Sequence, residues 1–225
     1  MIGRPLHSWD VTPKQGVQIQ RQLAGLVRVE PLTGPVRTLV GTDCAFLDGG
    51  ERILATAVLC DAKTMDVLAE SLSIQPTRMP YVPGLLSFRE APAVLEAIEN
   101  LPAGGDLVLC DGQGRAHPRR LGLASHVGIW LDRPVVGVAK SVLCGQFRQP
   151  GRNRRCHTQM RHDGEVIGSA VRTRTAVKPV YVSVGHRVTL DEAIRWTLRA
   201  TRGYRLPEPA RQAHLRVTRA KRERS

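Results

Sequence analysis

The sequence predicts an α/β domain built on a mixed sheet, an antiparallel three-strand meander plus parallel strands, with helices flanking it. Three observations carry this. Strand-like apolar runs follow one another across short turns between Val36 and Ile74. A strand, helix, strand order then spans Leu107 to Ala139. The composition, 42% hydrophobic and 24% charged over 225 residues, suits a chain that fills one core.

Taken in order, Val17, Leu23, Leu26 and Val27 recur at mixed three- and four-residue spacings and predict a helix over Val17 to Val29, punctuated by Pro31, Gly34 and Pro35. Val36 to Phe46 reads as a strand. Asp48-Gly-Gly50 turns into a second over Ile53 to Cys60, and Asp61 to Thr64 turn into a third over about Val67 to Ile74. Residues 76–86 carry three prolines and a glycine, after which Ser87 opens a helix to about Asn100. Leu107 to Cys110 is a short strand ending at Asp111. A Gly-rich loop leads to a helix over Leu121 to Leu131 and a strand over Val135 to Ala139 that ends at Lys140. This spacing requires right-handed crossovers and parallel strands. Residues 145–163 read as a basic loop, and Glu165 to Val171 and Val180 to Val184 as paired strands. Thr189 to Tyr204 reads as an amphipathic helix stopped by Gly203, and a last helix begins near Pro207. From Thr218 the basic tail has no apolar anchor and is expected to fray. No internal repeat is visible, and one domain over residues 1–225 is expected.

Charge narrows the function classes. Of the 33 Lys and Arg and 20 Asp and Glu, residues 1–145 hold 14 of each sign, and residues 146–225 hold 19 basic and 6 acidic, the whole formal +13. A segregated field of this kind suits a polyanion, because each neutralised phosphate releases condensed counterions. A basic surface that serves only solubility is the alternative. Aromatic residues, at 4%, are too few for an extended base-stacking platform. No run approaches the roughly 18 apolar residues of a membrane span, and Met1 to His7 has no signal-peptide core, so a cytoplasmic protein is expected. The five cysteines form no C-x-x-C pair. Cys44, Cys60 and Cys110 lie in strand-like runs and read as buried small hydrophobes.

Asp43 and Asp111 sit at corresponding places on two strands, where an open sheet gathers ligands, and carboxylates are what magnesium prefers. The alternative is that each merely begins a turn. Glu90 completes the capping-box pattern Ser87-Phe-Arg-Glu90, or stands as a third metal ligand at the mouth of a helix. Gly112 and Gly114 allow close backbone approach to a base or phosphate, and the following helix N-terminus favours an anion. Pro80-Tyr-Val-Pro-Gly84 holds Tyr81 between prolines, suited either to entering a base stack or to packing on its own loop. Lys140 offers a compact charge for a phosphate, and His214 a ligand or proton shuttle, or each is a plain surface residue.

Together, Gly41-Thr-Asp43, Pro80 through Glu90, Asp111 through Arg120, Gly122 through His126, Gly137-Val-Ala-Lys140, Lys178 through Arg187 and Tyr204 through His214 resemble endonuclease V, the deoxyinosine-directed nuclease family, in its order and over most of residues 17–217. The resemblance implies a ribonuclease H-like fold. It implies magnesium, with manganese as a substitute, on Asp43, Asp111 and Glu90, with His214 joining the cluster, and a strand-separating wedge of Pro80, Tyr81, Val82 and Pro83. It also places Lys140 and His117 near the cleaved phosphate, and Gly84, Leu86, Gly112, Gly114 and Gly122 along the base pocket. Val142 stands where a basic residue is expected, and Cys144 to Phe147 lead into an unusually arginine-rich loop. The activity implied is metal-assisted hydrolysis of the second phosphodiester 3′ to deoxyinosine by a monomer. An inosine-directed ribonuclease and a non-catalytic nucleic-acid binder are the alternatives.

Overall fold

The computed structural model describes residues 5–224. Met1 to Arg4 of the opening segment and Ser225 of the tail lie outside the described residues. Strands β1 (Thr38–Leu47), β2 (Arg52–Asp61) and β3 (Val67–Pro76) form the expected antiparallel meander, and β4 (Leu107–Cys110) and β5 (Val135–Ala139) continue the sheet in parallel with β1. Strands β6 (His157–His162), β7 (Glu165–Val171) and β8 (Val180–His186) complete a single sheet of order β3-β2-β1-β4-β5-β8-β7-β6. The sheet is mixed and helices flank it, as the sequence predicts.

Period-two alternation divides the core. Val40, Val108 and Cys110 face α2 (Leu86–Glu99) and α3 (Leu123–Leu131), packing with Val94, Ile98, Val127 and Trp130. Leu39, Leu107 and Leu109 face the opposite layer with Val136, Val182, Ile194 and Trp196, under α4 (Leu190–Arg199). Each fully buried Leu or Val of these layers contributes about 1.5–3 kcal/mol. On β1 the second parity continues as Gly41, Asp43 and Ala45, and there α5 (Glu208–Arg222) crosses the sheet. A Cβ on Gly41 would stand 2.0 Å from the Pro209 carbonyl carbon, so glycine is what lets the start of α5 lie directly on the strand.

Several boundaries differ from the sequence reading. The first helix, α1, is Pro13–Leu23 with a 3-10 turn over Ala24–Leu26, not Val17 to Val29. A Thr12/Gln15 capping box with proline at its first position starts it early. Beyond it, Arg28 is drawn out along the sheet by its N–H to His186 Nδ1 (3.2 Å) and by the Arg187 N–H to its carbonyl (2.7 Å). The predicted basic loop contains β6, whose alternating polar pattern hides an edge strand with Met160 its buried residue. Helix α4 ends at Arg199, and Gly203, with φ 75°, lies in the following loop. The tail does not fray from Thr218. The helix α5 runs to Arg222, because Val217 and Ala220 bury against Leu47 and Leu54. Among the described residues no helix is long and apolar enough to cross a membrane. Cys60 and Cys110 are buried as expected, while Cys44 is half-buried.

Candidate active site

Register brings the two aspartates together. Thr42 pairs with Cys110 across the parallel β1–β4 ladder, so Asp43 and Asp111, one residue on, emerge side by side. Glu90 arrives from α2 on the other face, and Asp43 and Glu90 are each 9% exposed. It is no cap: the helix begins at Leu86 after Leu85, with no side-chain cap, because Ser87 is already helical and its hydroxyl is bonded to His126 Nδ1 at 3.0 Å. From α5, His214 Nδ1 stands 2.6 Å from Asp43 Oδ2. From the end of β5, the Lys140 ammonium pairs with Asp111 and lies 3.8 Å from Asp43 Oδ1.

Three carboxylates in so little water resist ionising together. Burial, then the charges of Asp111 and Asp43, push the Glu90 carboxyl up to about 8. Burial, then Asp43, raise Asp111 to about 7 against the pull of Lys140. Burial works against the Lys140 ammonium, but Asp111 and Asp43 outweigh it and hold its pKa above the ordinary lysine value. Among the described residues no three acidic, histidine or cysteine side chains are already drawn around one point. The cluster nevertheless fits a hard divalent cation. Its donors are carboxylate oxygens, its buried negative charge is under-compensated, and a lysine ammonium bridges two of the three carboxylates as a cation would.

Beside the cluster lies a cavity of about 390 Å³. Asp43, Glu90, Asp111 and Lys140 form one wall, and Tyr81, Pro83, Gly84, Leu86, Gly112, His117 and Gly122 supply much of the rest. Tyr81 is 67% exposed, with the Arg89 guanidinium 5.9 Å from its ring. Pro80 and Pro83 are exposed beside it, whereas Val82 turns inward against Met79, Leu85 and Phe88. Val142 and Leu143, apolar and exposed, line the side where the sequence departs from the family pattern.

Two expected site residues are also engaged within the fold. Gly114 is not a lining residue, since its N–H donates to Ser183 Oγ (2.9 Å) and it packs on the Val184 carbonyl of β8. His117 borders the cavity but is 2% exposed and has both ring nitrogens engaged. Its Nε2 donates to Gly84 O (2.9 Å), and its Nδ1 accepts the Arg119 N–H (3.1 Å). Burial and the neighbouring Arg119 charge lower its pKa to about 4, which favours the neutral ring that these two bonds require. The same Gly84 carbonyl accepts from Gln20 Nε2 (2.9 Å) and Arg119 Nη2 (2.8 Å), and Arg119 Nε donates to Gln20 Oε1 (2.5 Å). Three donors on one carbonyl clamp the loop over residues 80–84 to α1 and to the loop after β4, with Gly84 itself at φ 79°. Gln20 and Arg119 were not foreseen from the sequence. A fully buried glutamine on an otherwise amphipathic helix was the available signal.

Comparison with known proteins identifies the family. The family model described as Endonuclease V matches residues 21–215. Endonuclease V of Methanothrix thermoacetophila is 49% identical over 212 residues, covering 94% of this chain and 93% of that protein. The crystal structure of endonuclease V from Streptomyces avermitilis is 42% identical, with a TM-score of 0.90 and 96% of each chain covered. More distantly, Ciona intestinalis endonuclease V, 22% identical over 96% of this chain and all (100%) of that one, shares the fold at a TM-score of 0.84; it was solved with a 23-mer DNA containing an inosine followed by a ribo-adenosine. With a family-model match over residues 21–215 and relatives similar along nearly its whole length, the chain belongs to the endonuclease V family.

Proposed function

We propose that the protein is a cytoplasmic DNA repair endonuclease that recognises deoxyinosine and hydrolyses the second phosphodiester 3′ to it, leaving 3′-hydroxyl and 5′-phosphate ends. The observation that carries this is the buried Asp43, Glu90 and Asp111 cluster opening onto a cavity whose rim bears an exposed tyrosine between prolines. The inosine-containing DNA held by the Ciona relative supports the substrate, and five free cysteines suit a reducing compartment. The site of cleavage rests on the family resemblance.

The family is one of metal-dependent nucleases. Here Asp43, Asp111 and Glu90 would hold magnesium, or manganese in its place, with His214 beside them, and the ion would supply charge to polarise the phosphate and ionise a water. The protein's own residues do the rest. His214 fixes the Asp43 carboxylate through its 2.6 Å contact. Lys140, balanced between two carboxylates, is the flexible cation nearest an incoming phosphate. Tyr81 fills the space left by the flipped base, whose unstacking costs a few kcal/mol and less for a mispair. Hypoxanthine lacks the 2-amino group of guanine and carries an oxygen where adenine has an amine, and the wall that includes Gly84, Gly112 and Gly122 is where both would be told apart from it.

An end-labelled duplex with one deoxyinosine tests the reading, run with magnesium, with chelator, beside the undamaged duplex and a matched inosine RNA. One magnesium-dependent nick displaced to the 3′ side of inosine in DNA is expected. Selective cleavage of the RNA, or binding without cleavage under any divalent ion, would overturn it.

A further inference from the structure

A second concavity, of about 680 Å³, shares no lining residue with the cavity beside Asp43. One wall is the segment entering β6, with Arg154 and Arg155, and the other is α4 and the loop after it, with Arg195, Arg199 and Arg202. Ile194 and Leu198 give it an apolar floor, His157 stands at its side, and Asp191 is the only carboxylate that lines it.

Most of the charge in this groove is not spent on internal ion pairs. Among the described residues Arg195 has a carboxylate partner, Glu192 at 3.5 Å, while Arg154, Arg155, Arg199 and Arg202 form no ion pair. Neutral groups hold the guanidiniums in place instead. Arg154 donates to the Thr173 carbonyl (3.1 Å) and the Leu198 carbonyl (2.8 Å), tying the loop before β6 to α4. Arg202 donates to the carbonyls of Arg199 (2.8 Å) and Lys63 (2.9 Å), and the Arg199 guanidinium lies 4.7 Å over the Trp196 ring. A guanidinium held by two carbonyls keeps its full charge and three of its five N–H donors, the fork that suits a phosphate. Its rotamer entropy is largely lost already, so less is lost on binding.

We propose that this groove is a second nucleic-acid contact, taking the phosphodiester backbone of a strand that extends beyond the segment held at Asp43. It gives a place of action to the surplus charge of residues 146–225. The contact reads backbone and not sequence. Its lining holds no aromatic side chain other than His157, and the nearby Trp196 is buried beneath Arg199. Five guanidiniums against one carboxylate in an open groove fit successive phosphates better than any neutral or cationic partner.

The test is independent of inosine recognition. Fluorescence anisotropy on undamaged duplex in chelator, titrated with potassium chloride, reads the affinity and its salt slope. Arg155→Gln, Arg195→Gln and Arg199→Gln remove charges that make no backbone bond. Each is expected to lower the slope of log K against log salt by about one, and the triple variant by roughly three, with at least about tenfold weaker binding near physiological salt. Asp191→Asn, which removes the opposing carboxylate, is expected to bind several-fold more tightly, a gain that no misfolded variant gives. Shortening the duplex should abolish the deficit of the triple variant once the strand no longer spans both sites. Wild-type affinity and slope in both the triple variant and Asp191→Asn would overturn the proposal. So would inorganic phosphate displacing duplex far better than chloride at equal ionic strength, the mark of a small-anion site.

Discussion

Glu90 is a residue whose burial works against stability in order to place charge. Its carboxyl titrates near 8 in the folded protein, against about 4.5 in an unfolded chain. Between those values the folded state holds a proton that the unfolded state releases, so stability falls as pH rises through this window. Asp111, raised to about 7, acts in the same direction. In chelator the melting temperature should therefore fall between pH 5 and pH 8. Glu90→Gln should raise it by a few degrees at pH 8, at about 2–4 °C per kcal/mol for a chain of this size, and change it little at pH 5. Scanning fluorimetry checks this; a pH-independent melt, or a destabilised variant at pH 8, would contradict it. A second residue-scale prediction concerns His126. The Ser8 carbonyl accepts from His7 Nδ1 (2.7 Å), so His7 Nε2 must accept from His126 Nε2–H (2.7 Å), which leaves His126 Nδ1 to accept the Ser87 hydroxyl (3.0 Å). Burial lowers both pKa values, so the rings are neutral. Nitrogen-15 shifts should report a protonated Nε2 on His126, and a protonated Nδ1 would refute the chain of donors.

At the scale of elements, the sequence made the central strands legible because they are apolar, short and bounded by turn residues. It made Asp43 and Asp111 legible as neighbours because a parallel crossover leaves few other arrangements. Glu90 and His214 became legible through resemblance, since nothing in a local pattern says which face of a distant helix meets a strand end. What escaped was set by tertiary contact. Strand β6 exists because its backbone pairs with β7, not because its side chains alternate strongly. The last turns of α5 hold because Val217 and Ala220 meet Leu47 and Leu54. Truncation after Val217 should accordingly lower the melting temperature by a few degrees, whereas a frayed tail would leave it unchanged. The clamp on the Gly84 loop was equally invisible, since its three donors come from two segments distant in sequence, α1 and the loop after β4. Gln20→Leu removes the Leu121 carbonyl's Gln20 donor and the acceptor of Arg119 Nε, at about 1–3 kcal/mol each, and takes one of three donors from the Gly84 carbonyl. The loosened Gly84 loop should reduce kcat/KM on deoxyinosine by about tenfold or more, the equivalent of 1.4 kcal/mol, and single-turnover nicking measures it.

Over the whole molecule, one sheet separates two kinds of charge. Its parallel centre collects carboxylates at the strand ends, and the C-terminal third, residues 146–225, carries the surplus of cations, five of whose arginines line a separate groove. If the proposed divalent cation binds the cluster at Asp43, it should displace protons from Glu90 and Asp111. Magnesium should therefore raise the melting temperature more at pH 8 than at pH 6, and equal stabilisation at both would argue that the cation binds elsewhere. The central claim is that the cluster at Asp43 is where the phosphodiester is cut. Single-turnover cleavage of a deoxyinosine duplex in magnesium by Asp43→Ala, with binding of the same duplex measured in parallel, tests it most directly. The account predicts binding close to that of the unaltered protein with nicking reduced to background; turnover retained within about tenfold, or some 1.4 kcal/mol of barrier, would contradict it.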